Sequence, residues 1–189
     1  MGKNIVAHRF GTRGEWRQWL QDNHDKEPEA WLVFPLRSSG EDGIPYNDAV
    51  EEALCFCWID STVRALDEGH RMQRFSPRNP KSGYSQANKE RLRWLADRGL
   101  VHPAVMERVS PMLEEPYVFP DDIIDAIRED DVAWAHYQGF SEPYKRIRVA
   151  YIDAARKRPE EFERRLGNFI ERTREGKIIT GYGGIDKYY

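Results

Sequence analysis

Apolar positions along the chain alternate between helical and strand-like spacing. Between Gly14 and Asn23, Trp16, Trp19 and Leu20 recur at i, i+3 and i+4 behind Thr12 and Glu15, which have capping-box spacing. This predicts a helix after an irregular lead-in over residues 1–11. Ala30–Phe34 is instead an unbroken apolar run closed by Pro35, the pattern of a strand covered on both faces. Residues 37–45 form a polar loop punctuated by glycine. Ala49, Val50, Ala53, Leu54 and Cys57 return to helical spacing, with Asn47 or Asp48 as the cap. Trp58–Leu66 and His70–Ser76 read as strands. Asp67-Glu68-Gly69 joins them as a three-residue hairpin loop, with Gly69 at a left-handed position. Pro77 and Pro80 end the second strand.

The rest of the chain reads as helical. Ser85 caps a helix over 85–98 that Gly99 ends, and His102-Pro103 opens another. Residues 110–120 carry three prolines and mark the best internal boundary. Beyond them, helices are expected over 121–129, 131–138, 142–157 and 159–175. Tyr144, Ile147, Tyr151 and Ala155 form one apolar stripe, and Phe162, Leu166, Phe169, Ile170 and Thr173 the next. The tail 177–189 is apolar enough to pack on the body or on a second copy. The expected fold is α+β: a small, mainly antiparallel sheet of about three strands packed with helices, followed by an α-helical C-terminal portion. The division falls at 1–110 and 111–189, within one compact unit.

Composition narrows the class. With 12% aromatic residues, six of them Trp, and a net charge of −3, the chain is not disordered. No apolar run is long enough to span a membrane. The first 20 residues hold Arg9, Arg13, Glu15 and Arg17 and resemble no secretory signal. Two cysteines suit a reducing compartment, so a cytoplasmic location is expected. The charge is segregated: residues 64–93 hold eight basic and three acidic residues, 107–131 two and nine, and 145–174 ten and five. The acidic stretch either masks a basic one or leaves it exposed.

The hairpin supplies the candidate chemistry. A three-residue loop pairs Leu66 with His70, Arg64 with Met72, Thr62 with Arg74 and Asp60 with Ser76. One face then carries Trp58, Asp60, Thr62, Arg64, His70, Met72 and Arg74, with Asp60 and Arg74 as diagonal neighbours, and Ile59, Val63, Ala65 and Phe75 turn to the core. Such a face is either an ordinary wet face or a site. Arg74, Arg78, Lys81 and Lys89, interleaved with Phe75 and Tyr84, lead into a helix N-terminus at Ser85, where an anion is favoured. The expected ligand-binding set is therefore Trp58, Asp60, Arg74, Phe75, Arg78, Lys81, Tyr84 and Asn88, with an anionic small molecule as ligand.

The leading reading is a non-enzymatic binding protein. An enzyme would have to use Asp60 and His70 as acid and base in the same groove. A third reading is an interaction module that docks or self-associates through residues 178–189. Nucleic-acid binding has little support, because the net charge is negative and no recognisable binding motif is present. Cys55-Phe56-Cys57 is not a zinc spacing, and His8, His24, His70, His102 and His136 share no ligand spacing, so no metal or cofactor is expected. Gly181-Tyr182-Gly183-Gly184 neither follows a clear strand nor opens a helix, and is no phosphate loop.

The same segments carry a family resemblance. The run from Glu51 through Cys57-Trp58-Ile59-Asp60 to Ser61 resembles a block of the bacterial YdeI/OmpD-associated family, also labelled bacteriocin-protection proteins. Gln73–Ser82, Tyr84-Ser85 and Asn88–Arg91 are similar to its second block, as are Trp19-Leu20, Asn23-His24 and Trp31–Phe34 near the start and Gly183–Tyr189 at the end. The likeness covers about residue 15 to the C-terminus. Cys57 stands where the family has Gly, and Tyr84 where Trp is common. The resemblance implies protection against bacteriocins or antimicrobial peptides, and stress resistance of that kind, but no settled activity or catalytic residues.

Overall fold

The computed structural model describes residues 5–181 and 184–189. Residues 1–4 of the expected lead-in, and Tyr182 and Gly183 of the glycine-rich run, lie outside the described residues. The fold is α+β with a helical C-terminal part. Its sheet is mixed and four-stranded, rather than three-stranded and mainly antiparallel. The chain forms two compact units. Residues up to 83 join with 95–110 in the first, and 84–94 join with 111 onward in the second.

In the first unit, β1 (Ala7–His8) runs parallel to β2 (Ala30–Pro35), β2 pairs antiparallel with β4 (His70–Pro77), and β4 with β3 (Trp58–Ala65). The lead-in therefore contains a strand that hydrophobic spacing did not show, because two residues are too few to carry a period. β2 is the strand covered on both faces: Ala30, Trp31, Leu32, Val33 and Phe34 are all buried. Helix α1 (Arg13–Asn23) starts as its sequence dictates. The Thr12 hydroxyl accepts from Glu15 N–H at 3.3 Å, while the Glu15 carboxylate reaches back to Gly11 N–H at 2.8 Å. Helix α2 (Tyr46–Cys55) starts earlier than expected, behind Pro45 and without a side-chain cap. Asn47 and Asp48 sit in its first turn instead.

The turn after α2 explains an oddity of sequence. Cys57 has φ +60°, a left-handed conformation natural to glycine and costly for a residue with a side chain. Glycine is the residue that the resembling block carries there. By contrast, Gly69 is not left-handed. The hairpin is closed instead by the Asp67 carboxylate, which accepts from Gly69 N–H at 2.8 Å, and by the His70 carbonyl, which accepts from Leu66 N–H at 3.1 Å.

The second unit takes residues 84–94, which hold most of α3 (Gln86–Ala96), and the end of α4 (Pro103–Glu114), which continues through Pro111 instead of breaking at 110. It continues with α5 (Asp121–Arg128), α6 (Asp131–Gly139), α7 (Glu142–Asp153) and α8 (Pro159–Arg174). Ser141 caps α7 and Asp130 caps α6 through their side chains, and Gly176 (φ +68°) follows the end of α8. Ile123, Ile127, Tyr137, Tyr144, Val149, Ile152, Leu166 and Phe169 form the core. Each such side chain contributes roughly 1.5–3 kcal/mol of burial. The tail packs on its own unit: Ile185 and Tyr188 are buried against Ile147, with Ala87 and Trp94 beside them. Among the described residues no helix is long and apolar enough to cross a membrane.

Candidate functional site

A bulge rearranges the hairpin. The expected register holds from Val63 to Ala65, where Arg64 faces Met72, but it slips by one at residues 61–62. Asp60 then lies opposite Phe75, not Ser76. Asp60 moves to the inner face, where it accepts from the Tyr46 hydroxyl at 2.6 Å and from Gln73 Nε2 at 3.3 Å. Arg74 stays on the other face and donates to Glu29 at 2.6 Å. The expected Asp60–Arg74 pair therefore does not form. Trp58, expected on the wet face, is 1% exposed, and its indole N–H donates to the His24 carbonyl at 3.0 Å. Val63, expected in the core, is 53% exposed.

The other hairpin candidates have local duties. Phe75 is fully buried. Arg78 donates to the carbonyls of Gly83 and Ser82 and so shapes its own loop. Lys81 is exposed. His70 lies between Asp67 (2.8 Å) and Glu41 (3.1 Å), and these hydrogen bonds, Asp67's first, raise its pKa above the ordinary value. Asp60 faces Phe75 while His70 faces Pro35. Five strand residues, roughly 17 Å, separate those two levels. The structure does not bring the acid and base candidates together.

The first unit also buries acid. Glu52 is 2% exposed and is answered by Arg13 Nε at 2.7 Å and Arg17 Nη1 at 2.6 Å, while Arg13 Nη1 reaches Glu51 at 3.3 Å. Arg17 also donates to the Leu100 carbonyl at 2.7 Å. This cluster is closed on itself. Next to it, burial and then the Glu52 charge push the Cys55 thiol up to about 12, which keeps it protonated and unreactive.

The second unit holds a cavity of about 310 Å³ lined by the start of α3, one face of α7 and Ile185 of the tail. Asn88 of the expected set lines it; Tyr84, of the same unit, does not. Its walls are mostly apolar: Ala87, Ile147, Ala150, Ala154 and Ile185. Its charge comes from Arg91 and Arg148, and both are buried.

Arg148 is 4% exposed. Its Nη2 donates to the Ile179 carbonyl and, at 2.5 Å, to the Tyr189 hydroxyl. Its Nε–H has no partner, and no carboxylate of the described residues pairs with it. The nearby acid is already spent: Glu90 accepts from Arg146 at 2.7 and 2.9 Å and from Arg93 at 2.7 Å. Ser85 takes the amides of Asn88 and Lys89, which leaves those of Gln86 and Ala87 at the positive end of α3.

Sequence reasoning missed Arg148, although a signal was present. It lies four residues after Tyr144 and three before Tyr151, a cation in the middle of an apolar stripe. The acidic stretch does fold onto basic partners within this unit. Asp122 pairs with Arg156 at 2.7 Å, Asp130 with Arg174 at 3.5 Å and Glu115 with Lys89 at 3.8 Å.

Comparison with known families divides the chain in a similar way. Residues 8–108 match a family described as "Domain of unknown function (DUF8412)", and residues 116–176 match "Bacteriocin-protection, YdeI or OmpD-Associated". The first match spans more than half of the chain, which belongs to that family; the second shows the YdeI/OmpD-associated domain that the sequence resemblance implied. The hairpin blocks that suggested the resemblance lie under the first match, and the tail lies under neither. No curated protein and no solved structure matches the chain.

Proposed function

We propose that the chain is a non-enzymatic binding protein for an anionic small molecule, held in the cavity of the second unit. The observation that carries this reading is Arg148, a buried cation without a carboxylate partner on the wall of a cavity. Burying an ion costs several kcal/mol unless an opposite charge or full hydrogen bonding answers it. A ligand that supplies the anion completes the arrangement. The cavity lining has no carboxylate, histidine or thiol, so no side-chain base stands among the lining residues to activate the hydroxyls of Ser85 and Tyr151. Any part in bacteriocin protection would then act through the bound molecule.

Native mass spectrometry of the protein, purified gently from its host, tests the reading. The wild type is expected to carry a bound mass that Arg148→Met lacks. A mass that persists in Arg148→Met and disappears from an Arg74→Ala/Arg78→Ala double variant would return the site to the hairpin. A wild type with no bound mass, and no rise in Tm with any added anion, would remove the proposal.

A further inference from the structure

We infer that the ligand is an amphiphilic organic anion, with its head group at Arg148 and Arg91 and its hydrocarbon body along Ala87, Ile147, Ala150, Ala154 and Ile185. This rests on the anion-binding reading above and adds the ligand's chemical class.

The head group follows from the donors that remain. Nη2 of Arg148 is committed to Ile179 and Tyr189, and its Nε–H has no partner. The unclaimed amides of Gln86 and Ala87 add a partial positive charge at the end of an 11-residue helix. Arg91, a second buried cation, shares the lining, so two guanidinium groups and a helix end call for an anionic head.

The body follows from the walls. Beyond the arginines the cavity presents alanine and isoleucine side chains from α3, α7 and the tail, so apolar surface is what it can bury. Its volume, about 310 Å³, lies at the small end of ligand sites and suits a medium-chain acid rather than a long one.

Isothermal titration of the full chain with octanoate, octan-1-ol, acetate and inorganic phosphate tests the inference. Octanoate is expected to bind at least about tenfold more tightly than octan-1-ol, acetate or phosphate, since a 1.4 kcal/mol difference already gives that factor. Ala154 is exposed at the cavity rim, so Ala154→Phe should fold normally and weaken octanoate about tenfold or more while leaving acetate unchanged. If acetate or phosphate binds as tightly as octanoate, or Ala154→Phe has no effect, the amphiphile is wrong although anion binding stands. If octan-1-ol matches octanoate and Arg148→Met binds both, the site is merely apolar and both readings fall. Failure of all four to bind overturns the inference; a bound mass that Arg148→Met loses would then leave only the anion reading standing.

Discussion

Each unit buries charge, and the two do so differently. In the first, Glu52 is enclosed by Arg13 and Arg17, so acid and base answer each other within the chain. In the second, Arg148 is buried about as deeply, yet a carbonyl, a hydroxyl and the rings of Tyr144 and Tyr189 meet it, no carboxylate of the described residues does, and its Nε–H has no partner. A closed pair is part of the architecture, and removing one member strands the other. A buried charge left open beside a cavity is better explained by something that arrives. The contrast teaches that burial of charge alone does not mark a site; the completeness of its partners does.

The largest effect should come from breaking the closed cluster. Glu52→Ala is expected to cost about 3 kcal/mol, at the low end for a buried pair because both arginines are about one-third exposed. The thermal midpoint should fall by roughly 6–12 °C. A loss of under about 1 kcal/mol would mean that the cluster is no more structural than a surface pair. Arg148→Met should behave in the opposite way. Replacing an incompletely answered buried cation with an apolar side chain should change stability by less than about 1 kcal/mol in denaturant unfolding, while ligand binding disappears. A large destabilisation would make Arg148 a tail anchor and not a ligand anchor.

Smaller changes sharpen the picture of the first unit as scaffold. Cys57→Gly should stabilise it by about 0.5–1 kcal/mol, because glycine accepts φ +60° without strain but carries more freedom in the unfolded chain. A destabilisation would show that the thiol's contacts outweigh the strain. His70 gives the weakest effect. Its folded pKa is raised above 6.5 by Asp67 and then Glu41, with burial and the Arg9 charge opposing, so its protonated form stabilises the hairpin end. That contribution is complete below the unfolded value of 6.5 and fades as pH rises through the folded one. The Tm difference between wild type and His70→Gln should be larger near pH 5 than near pH 9, values about 1.5 or more units either side of an ordinary histidine. A difference that does not change with pH would remove the ionic lock.

The sequence disclosed the elements better than their partners. Helices after residue 120 were legible because capping residues and apolar stripes coincide in them, as at Ser141 and the Tyr144–Ile147 face. Strand β2 was legible from five consecutive apolar residues. The bulge between Asp60 and Val63 was not, because nothing in a polar strand fixes its register by burial, and one slipped residue moved Asp60 away from Arg74. The sequence points to the helix start at Ser85 as a place for an anion, but offers for it only the cations beside it in the chain. Of the two cations that line its cavity, Arg91 lies on the same helix, while Arg148 lies some sixty residues away on α7, where only tertiary structure could join it to them.

The most direct measurement follows the Nε–H resonance of Arg148 in a nitrogen–proton correlation spectrum as octanoate is added. The account predicts that this signal shifts with saturation as the group gains its acceptor, while the Nε–H of Arg13, already bonded to Glu52, stays in place. An Arg148 signal that does not move, or one that moves no more than that of Arg13, would contradict the claim that the open charge of the second unit is there for a ligand.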